Sequence, residues 1–487
     1  MKKKLNSKKK NLNFISLIVN KMENISKELN YSPVVNNHSS IVYRYVSPQA
    51  GGDVTTGVSA DVGPTEFLIP PSCWIPELTK LNFQISVPVS TATTYNTVNA
   101  NVLTSISRIT VYDTATSNVL MDVSNFEKYA SLTTSAATKF DDFVTKSGLT
   151  TVSATDVLSK EKPVEDISKA ILTTNSLAGY TVAGSTFTAA SVSLAASNPY
   201  FARRQFYIGA ASETNMIDVS IPFSALKLTA LASDKIWYSP SSLVVQIYWA
   251  ANSKYVFRND SATLVGGTQV AATLAAAVTI VKPQLILANE GNLAIVSQVI
   301  NKVMSGGGIQ LPIAYPTVVQ TTIAASTNHS FQYQLTRGYG NRILALITSA
   351  FHATTEYQYA NSHPRIITTA YNTFLNNVAI RSPNGFVGFS NGAAPATDYT
   401  IANYPYLKGS VIQNTSDFIA EWEHIDGFFG NKSLHDVDQH QVDGLDVTAQ
   451  SSTWQWQATT TNLGFRWFTV IVGQKTMSLT AQGVMVQ

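Results

Sequence analysis

The chain has 487 residues, of which 45% are hydrophobic, 10% aromatic and only 13% charged, with a formal net charge of +3. That length exceeds one ordinary core and implies two domains. So apolar and charge-poor a composition fits surfaces covered by partners better than a freely diffusing enzyme. The single cysteine, Cys73, excludes internal disulfides and a cysteine-built zinc site, and reads as a buried, inert thiol. Residues 1–30 hold eight Lys and two Glu, a charge of +6, which leaves 25 basic against 28 acidic residues elsewhere. The positive charge therefore belongs to a tail and not to the body.

That tail opens with Lys2, Lys3, Lys4, Lys8, Lys9 and Lys10, a run that does not fold alone and is solvated or paired with polyanion. Behind it Ile15, Ile18, Met22, Ile25 and Leu29 recur at spacings of 3, 4, 3 and 4, one apolar stripe along a short helix. Two readings stay open: a helix docked on its own domain or a neighbour's, and a basic arm lying on nucleic acid or an anionic membrane. The apolar patch Phe14–Val19 is short for a signal peptide. Asn20-Lys21-Met22-Glu23 follows it in place of a small-residue cleavage site, so secretion by this route is not expected. The most apolar window, Val270–Val281, is 12 residues long, too short to span a bilayer.

After a polar linker to Ser40, β patterning begins with Ile41–Val46. Three prolines in seven residues, Pro70, Pro71 and Pro76, impose an extended crossing. Leu81, Phe83, Ile85 and Val87 then alternate along one strand face. Ile106–Asp113 is a strand that pairs with Asn118–Asp122 across a turn, and Asn125–Leu132 reads as a short helix. Ser131–Ser212 is rich in Ser, Thr and Ala with few large apolar anchors, which marks an insertion. Strands return at Met216–Pro222 and at Leu243–Ala250, where Leu243, Val245, Ile247 and Trp249 alternate.

The stretch from Thr279 to Gly308 straps two halves together. It opens as a strand whose Pro283 suits an edge or strand-end position. It then turns at Asn289-Glu290-Gly291 and becomes a helix carrying Ile295, Val296, Val299, Ile300 and Val303 on one face, ended by Gly306-Gly307-Gly308. The second half repeats the grammar: Ile309–Tyr315 and Thr317–Ile323 as two strands, then Ser330–Leu335, then Arg342–Phe351 as a central strand. Asn384-Gly385 and Asn391-Gly392 are hairpin turns, and the end is strongly β from Trp454 onward.

The chain carries few motifs of catalytic chemistry. Gly306-Gly307-Gly308 lacks the Lys-Ser/Thr of a phosphate loop, and neither a nucleophile elbow nor an H-E-x-x-H helix occurs. His424, His435 and His440 sit with Glu421, Glu423, Asp426, Asp436 and Asp438 within twenty residues. Imidazoles with carboxylates are divalent-ion donors, but this spacing matches no defined metal motif. A solvated acidic loop at a subunit contact is the reading adopted, with no catalytic residue, metal site or cofactor assigned. Glu421 and Glu423, two residues apart on a strand, share a face and do not flank a glycosidic bond. Trp454/Trp456 and Phe465/Trp467, at period-two spacing, read as core faces and not as a sugar platform.

In element order the chain resembles the double jelly-roll major capsid proteins of double-stranded DNA viruses, of the virophage and polinton-like virus type. The resemblance is carried by Phe67-Leu-Ile-Pro-Pro71 leading to Leu81-Asn-Phe-Gln-Ile85, by Ile106–Asp113 followed by Asn125-Phe-Glu-Lys-Tyr129, and by Leu243–Trp249 with the strap. It implies an all-β chain of two tandem jelly-roll sandwiches. Residues 1–40 would be the basic arm and linker, 41–290 the first jelly roll with its insertion 131–212, 291–308 the connecting helix and 309–487 the second jelly roll. It further implies a non-enzymatic subunit of the virion, assembled inside the host cell, that trimerises into pseudo-hexameric capsomers tiling an icosahedral shell. Penton and minor capsid proteins would be its partners. The six lysines of the arm would face the genome or a membrane inside the shell. A β-rich carbohydrate-binding adhesin or spike is the alternative, which the arm without a secretion signal disfavours.

Overall fold

The computed structural model describes residues 39–57, 60–87, 94–99, 102–130, 149–152, 181–182, 185–186, 205–208, 215–260, 270–271, 278–326, 328–352, 367–379, 386–387, 424–429, 440–460 and 465–487. The lysine run and the apolar stripe of the arm lie outside them, as do Glu421, Glu423, Asp436, Asp438 and His435.

Two antiparallel sheets face each other in the first half. One runs Trp237–Tyr238, Cys73–Trp74, Val278–Glu290, Lys80–Val87, Asn215–Pro222, Leu149–Val152, with Ile41–Val46 and Val54–Thr56 also paired to Val278–Glu290. The other runs Val62–Ile69, Leu243–Trp249, Ile106–Asp113, Val119–Ser124. The period-two pattern explains the packing. Leu81, Phe83 and Ile85 are buried, while Asn82, Gln84 and Ser86 between them are half-exposed. Phe83 meets Trp249 of the opposite sheet edge to face, with ring centroids 4.9 Å apart, and Trp74 meets Trp237 at 5.5 Å. The Trp249 indole donates to Thr65 Oγ1 at 2.8 Å, so the buried ring leaves no donor unsatisfied. Cys73 is buried, and burial pushes its thiol up to about 11, which makes it inert.

A further four-stranded sheet of the first half runs Gln205–Ile208, Thr94–Asn99, Val256–Asp260, Val270–Ala271. Within 131–212, Leu149–Val152 pairs with Asn215–Pro222, Gln205–Ile208 pairs with Thr94–Asn99, and Thr181–Val182 pairs with Ser185–Thr186.

The strap departs from the expectation at its proline. Val278–Glu290 is a central strand, paired with Lys80–Val87 on one side and with Ile41–Val46 and Val54–Thr56 on the other. Pro283 is tolerated because the register shifts between Val281 and Gln284, with Lys282 at φ 50°, so a bulge absorbs the missing donor. The helix Leu293–Met304 follows, its N-terminus capped by the Asn292 side chain, which accepts from Ala294 N at 3.0 Å. Gly308 (φ 62°) then passes so near Leu479 O that a Cβ there would lie 2.7 Å from it.

The second half has a six-stranded sheet, with Ile309–Ile323, Phe465–Thr480, Arg342–His352 and His424–Phe428 in order and Leu445–Asp446 and Gly483–Val486 at its margins. Its five-stranded partner contains Asn328–Leu335, Ser452–Thr460, Ile367–Leu375 and Val378–Ala379, with Phe386–Val387. Where two strands were expected, Ile309–Ile323 is one strand of 15 residues. Among the described residues it pairs only with Phe465–Thr480. On an edge, Pro312 and Pro316 sit at the same parity and remove donors the ladder does not use. Trp454 and Trp467 are buried, which removes them as sugar platforms.

Candidate functional site at the junction of the two sandwiches

Among the described residues no group of three His, Cys, Asp or Glu side chains is close enough to hold a metal ion. What the chain builds with most care is the joint between its halves.

The two central strands of the six-stranded sheet, Phe465–Thr480 and Arg342–His352, are buried on both faces over their middle residues. Residues 467–474 and 343–348 are buried without interruption. Ile343, Leu346 and Ile471 face the interior of the second sandwich with Tyr333, Leu335 and Trp454. Leu344, Ile347, Phe468, Val470 and Val472 face the other way, into one continuous core with the first sandwich. A register shift between Ile343 and Ala345 turns the strand so that Leu344 and Ala345 both enter that core. Gly473 is required there, since a Cβ would lie 1.9 Å from Tyr339 O.

Two polar clasps close the joint. In the first, Asp113 at the end of its strand is fully buried. Its carboxylate accepts from Ser241 Oγ at 2.6 Å, Ser239 Oγ at 3.2 Å, Ala115 N at 2.8 Å and Thr116 N at 3.2 Å. From the second sandwich Val484 N donates at 3.0 Å. Burial alone would push this carboxyl up. The hydrogen bonds from Ser241, Val484, Thr116 and Ala115 outweigh it and hold the pKa below the ordinary carboxylate value.

In the second clasp, His440 Nδ1 faces Pro312 O at 2.8 Å and therefore carries a proton. Its Nε2 reaches Ser233 Oγ of the first sandwich at 3.0 Å and Asp234 Oδ1 at 3.3 Å. Ser233 Oγ also accepts from the Trp237 indole at 3.2 Å. His440 was expected in a solvated acidic loop at a subunit contact. It sits instead inside the chain's own joint, because its two ring nitrogens find partners on opposite sandwiches.

A third polar group backs the joint. Lys254 Nζ sits 3.0 Å from both Asp61 and the buried Glu127. Burial would lower the Lys254 pKa, but Glu127 and Asp61 raise it above the ordinary value, so the ammonium stays charged. The neighbouring Lys128 stacks over the Phe468 ring of the second sandwich, 5.3 Å from its centroid. Both Glu127 and Lys128 stand in the Asn125-Phe-Glu-Lys-Tyr129 segment, where residues 126–130 are helical. Nothing in the sequence marked Asp113, Glu127 or Lys128 as junction residues. The one available signal was charged residues inside an otherwise apolar run.

No protein-family model and no curated protein matches the chain. Among solved structures it is similar to PBCV-1 VP54 fitted into a cryo-EM reconstruction of the virophage Sputnik, at a TM-score of 0.50 and 10% identity, covering 94% of this chain and 98% of that one. A chain of the PBCV-1 virus capsid aligns at a TM-score of 0.50 and 9% identity over the same shares, 94% and 98%. The mavirus major capsid protein aligns at 0.45 and 12% identity, over 95% and 94%. The first two matches span nearly the whole of both chains and define the fold. It is all-β, a double jelly roll with a short connecting helix.

Proposed function

We propose that the chain is a major capsid protein that trimerises into pseudo-hexagonal capsomers and tiles an icosahedral shell around a double-stranded DNA genome. One observation carries the reading. Two sandwiches are fused through a sheet whose central strands are buried on both faces, in a fold shared over 94% of the chain with a chain of the PBCV-1 virus capsid. Such a fused pair, sharing one core, is a single building block. Three bricks present six sandwiches around an axis, which makes one gene product nearly six-sided. The work done is assembly, by surface buried between subunits, and not turnover.

Within this reading residues 131–212, apart from the strands Leu149–Val152 and Gln205–Ile208 that pair within the first half, grow outward from the first sandwich, since their composition returns little burial for the backbone entropy lost on ordering. Lys2, Lys3, Lys4, Lys8, Lys9 and Lys10 face the genome or a membrane on the inner side. Penton and minor capsid proteins complete the shell. Negative-stain imaging of purified protein tests the proposal. Six-sided particles or closed shells are expected. Monodisperse single chains under assembly conditions would overturn it and favour an adhesin-like binding protein.

A further inference from the structure

The connecting helix Leu293–Met304 buries only one side. Val303 is fully buried and Val299 packs against the core. Leu293 is 79% exposed and Met304 50%, while Val296 and Ile300 are only half-covered. At 3.6 residues per turn, Leu293, Ile300 and Met304 fall within about 40° of one another around the axis, with Val296 flanking them. The helix therefore carries a second apolar seam, at 293, 296, 300 and 304, turned roughly 90° from its buried side.

The chain enters beside this seam from a pinned point. Glu290 accepts from Ser39 Oγ, from Ser40 N at 2.9 Å and from Asn292 N at 2.8 Å, and Gly291 N donates back to Ser40 O. Those bonds hold the Glu290 carboxyl below its ordinary value against the opposing effect of burial. Residue 39 is thus held at Glu290, three residues before the helix begins. The nine residues 30–38 reach at most about 30 Å. Upstream lies the stripe Ile15, Ile18, Met22, Ile25 and Leu29, spaced 3, 4, 3, 4, against 3, 4, 4 on the exposed seam. Fifteen helical residues span about 22 Å, and the twelve of the connecting helix about 18 Å.

We propose that residues 15–29 of the same chain dock as an antiparallel helix on this seam, with Leu29 near Leu293, Met22 near Ile300 and Ile18 near Met304. Two stripes of like period, joined by a linker of matching reach, satisfy each other without a second molecule. Docking delivers the lysine run to a defined place beyond Gly306, and does so whether or not the chain builds a capsid.

Paired cysteines test this in the full chain, since the native Cys73 is buried and inert. Met22→Cys with Ile300→Cys should oxidise to a link within one chain. It should form at least ~tenfold faster than Met22→Cys with Gln298→Cys, which lies on the far side of the helix. Equal rates for the two pairs would overturn the proposal, and so would links formed only between chains, which would assign the seam to a second copy. Independently, Ile18→Asp with Ile25→Asp should speed amide exchange across 293–304 by about tenfold while leaving the melting temperature of the body unchanged. Unchanged exchange there would count equally against docking.

Discussion

The Lys80–Val87 strand of the first sandwich and the Phe465–Thr480 strand of the second are built on opposite plans. The former buries alternate residues and leaves Asn82, Gln84 and Ser86 half-exposed. The latter buries residues 467–474 in succession, Ile471 toward its own sandwich and Val470 and Val472 toward the other. A strand buried on one face belongs to one sandwich. A strand buried on both belongs to the joint, and its sheet has no independent existence with one side stripped. The double jelly roll is thus one body with two interiors.

The most severe way to break this contrast is a charge on the two-sided strand. Val470→Asp and Ile471→Asp should each cost more than about 4 kcal/mol, though they point in opposite directions, because each strands a carboxylate in a dry core. Chemical denaturation would read this as unfolded or insoluble protein for both. Tolerance of either would mean that one face of the sheet is wet.

Next in size is Asp113→Asn, which removes the charge from the first clasp and should cost about 2 kcal/mol at neutral pH. The sign with pH follows from the depressed folded pKa. The carboxylate's contribution is full above the unfolded value of about 3.9 and is lost as pH falls through the lower folded value. Melting curves of wild type and variant should therefore converge in acid and separate above about pH 4. His440→Ala should cost about 1 kcal/mol, one hydrogen-bonded clasp between part-buried partners. On the one-sided strand, Gln84→Ala gives up only the 2.6 Å bond from its amide to Asp218 and should move stability by about 0.5 kcal/mol.

Alternation made the sandwiches legible from sequence. Leu81, Phe83 and Ile85 gave a period of two, and the Arg342–Phe351 run gave a central strand. The connecting helix was legible for the same reason, its apolar residues falling at helical spacing and its end marked by three glycines. Pro283 misled because a bulge is a property of two strands, and only one of them is local. The clasps were hidden by distance. Asp113 reads as an ordinary turn residue until Val484 arrives from the other end of the chain. His440 reads as part of an acidic segment until Ser233 approaches it. Periodicity reports which face of an element is buried, and says nothing about which distant backbone amide a buried carboxylate will meet.

In the function proposed above, this fused pair of sandwiches is the repeating brick of a shell. Light scattering coupled to size-exclusion chromatography, run on the full chain under assembly conditions, tests it most directly. The account predicts a particle of three times the 52.7 kDa chain mass, or larger assemblies built from it. A stable species at the mass of a single chain, persisting as concentration rises, would contradict it.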